Sequence, residues 1–199
     1  MRTILTFFLS VCFLPVVAQY ALHSSFDSLN TIRIHTNQKG MKVLGTWGVA
    51  NIIEGGIGIA TAKNNEWKSF HEMNLAWGAV NTGIAIAGYF GARKELDKKV
   101  TCSQALQNYE SYKRLYLINA GLDIVYTGAG LVCIEHAKNT TLNKDTWNGF
   151  GKSLVIQGAF LFVFDNIMFA SHQKRNTQWY KLLQGVCLSG NGIGMNYQF

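Results

Sequence analysis

The stretch that decides the fold is "LYLINAGLDIVYTGAGLVCI", residues 115–134, an almost unbroken apolar run with the length of a bilayer-spanning helix. A second run, "SLVIQGAFLFVFDNIMFAS" at 153–171, has the same character. Two earlier stretches have this length but are diluted by Gly, Asn, Glu and His. The sequence therefore predicts an all-α fold, a four-helix transmembrane bundle, with spans at about 41–62, 70–91, 115–135 and 152–171.

Composition and aromatic placement favour a membrane protein over a soluble one. Of the 199 residues, 48% are hydrophobic and 15% are charged, so charge is depleted. A soluble periplasmic helical bundle is the alternative, because buried helices can also be apolar on most sides. Aromatic residues near the ends of the predicted spans indicate an interfacial belt; they are Trp47, Trp67, Tyr89, Tyr116, Trp147 and Trp179.

The N-terminus has the pattern of a secretory signal. Met1-Arg2 is a short positive region, residues 4–17 are apolar, and Val16-x-Ala18 offers small residues at a cleavage point. We expect a cleaved signal peptide at 1–18, the alternative being a retained anchor that forms a fifth helix. The rest then divides into a polar N-terminal segment (19–40), the four-helix transmembrane domain (41–172) and a C-terminal tail (173–199).

The tail has two patterns. Trp179, Leu182 and Leu183 follow helical spacing, which suits an amphipathic helix at a membrane interface. In "GIGMNYQF", at 192–199, apolar residues alternate with others, which fits a short strand or an extended end.

Polar residues within the spans fall on one face of each helix. At 100° per residue, His71, Asn74 and Asn81 share a stripe with Gly78 and Ala85. A charged side chain facing lipid costs about 2.5 to 3.5 kcal/mol, so these stripes are expected to face one another. The predicted intramembrane polar cluster contains Asn51, Glu54, His71, Asn74, Asn81, Asn119, Asp123, Gln157 and Asp165.

A weak internal repeat relates the first and third spans. "GVANIIEGGIG" at 48–58 and "AGLDIVYTGAG" at 120–130 align Asn51 with Asp123 and two pairs of glycines. A real duplication would give two parallel helical hairpins, with Asn51 and Asp123 at equivalent depth.

Two classes of function fit these residues. A binding, transport or assembly protein would use a polar intramembrane cavity. An intramembrane enzyme would use Asp123 or Asp165 with His71 as acid and base. The first is favoured, since the sequence has no Glu-x-x-His, His-x-x-x-His or HExxH motif; we expect no metal site and no cofactor.

Four segments together resemble a known family. They are "QKGMKVLGTWGVANIIEGGIG", "FHEMNLAWGAVN", "NAGLDIVY" and "GKSLVIQGAFLFVFDNIMFASHQ", within residues 33 to 175. The chain is similar to a family of small bacterial integral membrane proteins, known mainly from the Bacteroidetes, that is catalogued as a domain of unknown function. The resemblance implies a small helical membrane protein and no particular activity.

Charge and cysteines bear on location and partners. The formal charge of +7 without a nucleic-acid-binding module points to a lipid bilayer with anionic headgroups rather than nucleic acid; a protein partner or homo-oligomer is also possible. A cleaved signal predicts a multi-pass inner-membrane protein with both mature termini in the periplasm, whereas the basic loop at 92–114 predicts the reverse under the positive-inside rule. In either orientation Cys102 and Cys187 lie on the same side, and in the periplasm they could form a disulfide.

Overall fold

The computed structural model describes the backbone of residues 2–184, 186–189 and 192–195 and the side chains of residues 24–182. Its helices are, in chain order, α1 (Arg2–Thr61), α2 (Asn65–Leu96), α3 (Cys102–Asn139), α4 (Lys144–Gln173) and α5 (Asn176–Gln184). A small antiparallel hairpin follows, formed by β1 (Val186–Ser189) and β2 (Gly192–Met195). The predicted all-α class is confirmed, with four long helices as its main elements.

Local sequence sets where α2 and α3 begin. The Asn64 side chain accepts a hydrogen bond from the backbone N–H of Trp67 at 3.0 Å and so caps α2. At α3, Thr101 and Gln104 form a capping box, in which each side chain bonds the other residue's backbone N–H. These caps satisfy donors that the first helical turn leaves free.

The four long helices form two antiparallel hairpins. Helix α1 packs along α2, α3 packs along α4, and the hairpins are joined mainly where α2 meets α4. Short connections at 62–64 and 140–143 make each pair antiparallel neighbours. This arrangement leaves a space between α2 and α3.

Glycines allow the two helices of each hairpin to touch through their backbones. A Cβ at Gly78 would lie 2.7 Å from the Gly48 carbonyl oxygen of α1, and one at Gly151 would lie 2.6 Å from the Gly130 oxygen of α3. Such small-residue contacts bring helix backbones close, as in packed membrane helices.

The closest glycine contacts lie within the hairpins, between α1 and α2 and between α3 and α4. Gly48 of α1 packs on Thr82 and the Gly78 carbonyl of α2, while Gly158 of α4 packs on Thr127 and the Asp123 carbonyl of α3. The sequence repeat aligned α1 with α3. The two residues that it aligned have different surroundings, since Asn51 bonds Gln157 whereas Asp123 contacts Asp165.

Three helical segments are long and apolar enough to cross a membrane: Ser24–Thr61, Cys102–Asn139 and Lys144–Leu182. Helix α2, the second predicted span, is 32 residues long but more polar. The segment at 19–40, predicted as a separate polar region, is part of the continuous helix α1. At 38 residues each, the first two segments measure roughly 57 Å, about twice the apolar thickness of a bilayer.

Exposed apolar side chains form a belt around one part of the bundle. We define the apolar belt by residues of all four helices: Val43, Val49, Ile53, Ile57, Val80, Ile84, Ile86, Phe90, Leu115, Leu117, Ile118, Leu122, Ile124, Val125, Leu131, Val132, Ile156, Phe162, Val163 and Ile167. Exposed cations lie next to it in sequence, in the part of the bundle that includes the 97–101 connection. This basic rim consists of Lys39, Lys42, Arg93, Lys94, Arg114, Lys174 and Arg175.

Candidate functional site

The first cluster of buried polar side chains centres on Gln157 of α4, which is fully buried. Its Oε1 accepts from Trp47 Nε1 at 2.9 Å, and its Nε2 donates to Asn51 Oδ1 at 2.7 Å and to Asn74 Oδ1 at 3.2 Å. Ser153 Oγ also donates to Asn74 Oδ1, at 2.5 Å. One glutamine thereby links α1, α2 and α4.

This cluster extends to the surface at Glu54. Asn74 Nδ2 donates to Glu54 Oε2 at 2.9 Å, and His71 Nδ1 lies 2.6 Å from Glu54 Oε1. The Glu54 side chain is 44% exposed, so the charged end of the cluster lies at the edge of the bundle. We call the whole set the amide network: Trp47, Asn51, Glu54, His71, Asn74, Ser153 and Gln157.

A second cluster contains two carboxyl groups. Asp123 of α3 and Asp165 of α4 are buried and hydrogen-bonded to each other, and Asn119 hydrogen-bonds Asp165. A hydrogen bond between two carboxyl groups requires a proton on one of them. The pair can therefore hold a proton, donate it, or accept a polar group.

The carboxyl pair lies at the floor of a cavity of about 540 Å³ between α2 and α3. Asn81 and Asn119 join the two aspartates there, while α1 and α4 close the back with Leu44 and Phe164. The side walls are apolar: Val80 and Ile84 on α2, Leu115 and Leu122 on α3. These four are 45–53% exposed, so the cavity opens sideways within the apolar belt.

Helices α2 and α3 meet at both ends of this cavity. Trp77 and Tyr126 make an edge-to-face contact with ring centroids 5.2 Å apart. At the other end Tyr112 donates through its hydroxyl to Glu95 Oε1 at 3.0 Å. Tyr112 and Tyr126 are fourteen residues apart, so these contacts bound a slot roughly 21 Å long.

A third cluster, which the sequence analysis missed, lies at the end with the basic rim. Arg33 is buried, bonds Asn30 at 2.9 Å and forms an ion pair with Glu95. Beside it, Asn37 Oδ1 accepts from the Tyr116 hydroxyl at 3.2 Å and lies 2.9 Å from His172 Nε2. The signal was present, since Asn30, Arg33 and Asn37 share helical spacing within the predicted polar N-terminal segment.

The structure divides the predicted polar cluster in two. Asn51, Glu54, His71, Asn74 and Gln157 belong to the amide network, whereas Asn81, Asn119, Asp123 and Asp165 line the cavity. The predicted acid–base pairing of His71 with Asp123 or Asp165 is not formed among the described residues. His71 faces Glu54 because α2 places it about seven residues, or two turns, from the part of the helix that lines the cavity.

An ion pair ties α2 to α4 at the opposite end from the basic rim. Lys152 Nζ donates to Glu66 Oε1 at 2.5 Å, and this hydrogen bond is the main reason that the pKa of the Glu66 carboxyl lies below its usual range. The ion pair therefore persists at neutral pH. It fixes one end of the contact between α2 and α4, next to Gly149, which packs on the backbone of Glu66.

Cys102 and Cys133 have described side chains. Both are partly buried, and neither forms a disulfide with another described side chain. The side chain of Cys187 lies outside the described residues, so the disulfide between Cys102 and Cys187 stays a prediction.

Comparisons with known proteins bear on the family alone. No curated protein and no solved structure matches the chain. A sequence model described as "Family of unknown function (DUF6992)" matches residues 43–166, more than half of the chain: the C-terminal third of α1, all of α2 and α3, and most of α4. The family resemblance inferred from the sequence is thus confirmed, and the chain belongs to this family of unknown function.

Proposed function

We propose that this protein is an integral membrane protein that binds a small amphipathic molecule in the cavity between α2 and α3. The observation that carries the proposal is the cavity itself, with apolar walls, a polar floor and a side opening within the apolar belt. Its volume of about 540 Å³ falls within the range of small-molecule sites. A ligand could therefore enter from the bilayer with its tail along the walls.

The proposed membrane placement follows the apolar belt. In this placement helix α2, which packs against both α1 and α4, is proposed as a fourth span beside the three more apolar helices. The basic rim would contact anionic headgroups, and the helix ends beyond it would project into water. The inner membrane is the proposed location, and the lipid bilayer and a second copy of the chain or another protein are the proposed partners.

A bulky residue at the mouth of the cavity should prevent binding. Ala87 is exposed and lines the cavity, so Ala87→Trp should block the slot with little cost to the core. The neighbouring Ile86 is exposed but does not line the cavity, which makes Ile86→Trp the matched control. Native mass spectrometry of the protein extracted in a mild detergent measures retained amphiphile.

We expect the wild-type protein and Ile86→Trp to retain bound amphiphile and Ala87→Trp to lose most of it. Equal retention by the two tryptophan variants would contradict the cavity as the binding site.

The proposed topology has both mature termini in the periplasm, with the signal peptide removed before Gln19. Cys102 and Cys187 would then face the periplasm. A membrane-impermeant thiol reagent should label both cysteines in intact cells, and labelling should increase after reduction if they form a disulfide. Labelling that requires cell lysis would reverse the topology, in agreement with the positive-inside rule.

A second candidate, an intramembrane enzyme, is favoured by one observation. Asp123 and Asp165 share a hydrogen bond at the floor of an accessible cavity, as paired carboxyl groups do in some acid–base catalysts. The original alternative also used His71, which the structure places with Glu54 instead. Chemical conversion of a bound amphiphile, abolished by Asp165→Asn without loss of binding, would favour the enzyme.

A further inference from the structure

A second depression opens on the surface of the bundle between α1 and α4. This α1–α4 groove is lined by side chains from 36–43 of α1 and 160–171 of α4 and has a volume of about 490 Å³. Gly40, Phe164 and Met168 are buried and form its floor. Of the residues that line the cavity between α2 and α3, the groove shares Phe164 alone. The two sites are therefore separate.

The two ends of the groove differ in polarity. At the end within the apolar belt, Trp47 of α1 stacks on Phe160 of α4 with ring centroids 3.9 Å apart, which bridges the two helices there. The other end is lined by Lys39 and by the hydroxyl-bearing residues Thr36 and Ser171. The groove thus suits an elongated apolar chain whose polar end lies beside Lys39.

The length and depth of the groove match one leaflet of a bilayer. Between Phe160 and Ser171, α4 rises by roughly 16 Å, and half of the apolar thickness of a bilayer is about 15 Å. Lys39 lies one helical turn before Val43, the first residue of the apolar belt on α1. In the proposed membrane placement, the Lys39 ammonium group is therefore at the level of the lipid phosphates.

Positive charge at this end of the groove has no acidic counterpart. Helix α1 has no acidic residue at 28–53, and the chain has none after Asp165. Lys39 is exposed and forms no ion pair with another described side chain. Lys174 and Arg175 follow the groove residues of α4. An anion placed here meets cations alone.

The cations of α2 and α3 at the same end of the bundle have acidic neighbours. Glu95 and Asp97 follow Lys94 in the chain, and Glu110 pairs with Lys113 at 3.1 Å. An anionic head group would meet these carboxylates as well as the cations. The polar end of the α1–α4 groove is thus the better complement to an anion.

We propose that the α1–α4 groove binds one anionic phospholipid, with an acyl chain over Gly40 and Met168 and the phosphate beside Lys39. A helix from a second copy of the chain fits this groove less well. It would need an apolar face that continues past the stack of Trp47 on Phe160, and it would bury the unpaired charge of Lys39, which is strongly unfavourable.

Titration of the full chain in mild detergent with dioleoylphosphatidylglycerol, followed by native mass spectrometry, tests the proposal. Dioleoylphosphatidylcholine has the same tails and no net charge. We expect one phosphatidylglycerol per chain to bind saturably and phosphatidylcholine to bind about fivefold more weakly, the contribution of one lysine at an anionic lipid surface. Ala87→Trp, which blocks the cavity between α2 and α3, should bind phosphatidylglycerol as the wild type does.

Lys39→Gln tests the head-group contact. It should weaken the binding of phosphatidylglycerol about fivefold and leave that of phosphatidylcholine unchanged. Lys94→Gln is the control, because it removes the same charge from the basic rim at an exposed residue that lines neither the groove nor the cavity. It should bind both lipids as the wild type does.

Val163→Trp tests the acyl-chain contact. Val163 is exposed and lines the groove, so a tryptophan there should lower the binding of both lipids at least about tenfold without loss of thermal stability. Val125→Trp is the control, since Val125 is equally exposed on α3 and lines neither site.

Several results would overturn the proposal. Equal binding of the two lipids would remove the selection for an anion, and equal losses in Lys39→Gln and Lys94→Gln would assign the attraction to the basic rim as a whole. Unchanged binding by Val163→Trp would exclude the groove. Loss of phosphatidylglycerol in Ala87→Trp alone would place the lipid in the cavity, which supports the proposed function and overturns this inference. A lipid-free dimer that Val163→Trp dissociates would show that a second copy covers the groove.

Discussion

Replacing Gly78 by alanine should destabilise the bundle by about 1 to 3 kcal/mol, the cost of overpacking a close contact. The added Cβ would lie 2.7 Å from the Gly48 oxygen and 2.8 Å from the Ile52 nitrogen, both backbone atoms. Backbone atoms of a helix cannot rotate away, so α1 and α2 must separate. Thermal unfolding in detergent measures the loss.

The matched control is Gly83→Ala on the same helix. A Cβ at Gly83 meets nothing within 4 Å, and alanine is the better helix former, so this variant should be as stable as the wild type or more so. Equal destabilisation by the two substitutions would mean that α2 responds to alanine for reasons other than its contact with α1.

Gln157→Leu should have a still larger effect, since it removes the central residue of the amide network. It would leave Trp47 Nε1 and the Asn51 side-chain oxygen without their glutamine partners and would weaken the bonding of Asn74. Each buried polar group left unpaired costs about 1 to 3 kcal/mol. Leucine has a similar volume, so the loss would reflect hydrogen bonding rather than a cavity.

The comparison for this variant is Asn166→Leu, whose side chain is exposed on the same helix. We expect Gln157→Leu to unfold at a much lower temperature and to accumulate poorly in membranes, and Asn166→Leu to behave as the wild type. Similar stability of the two variants would show that the network contributes little to the association of α1, α2 and α4.

Helical spacing predicted which side chains turn inward. Asn74 and Asn81 of α2 and Gln157 and Asp165 of α4 share the expected stripes, and all four are buried. This succeeds because one buried face per helix follows from the 3.6-residue period alone.

The division into two clusters could not be predicted from spacing. It depends on which helices are neighbours: α2 packs against α4, so Asn74 reaches Gln157, whereas the space left between α2 and α3 becomes the cavity. Periodicity specifies a direction around one helix and carries no information about the partner that lies there.

Arg33 shows a second limit. A charged residue in a polar segment is ordinarily exposed, and its burial depends on Glu95, which is 62 positions away in the chain. Only the continuous helix α1 and the return of α2 bring the two together.

The contacts between α2 and α3 at both ends of the cavity make it a slot with fixed ends and an open side. Trp77 with Tyr126 and Glu95 with Tyr112 prevent the helices from spreading at either end. A tail longer than the slot need not fold back, since it can leave through the open side into the surrounding lipid. Recognition would then depend on the head group held at the floor, and tails of different length and saturation would be accepted alike.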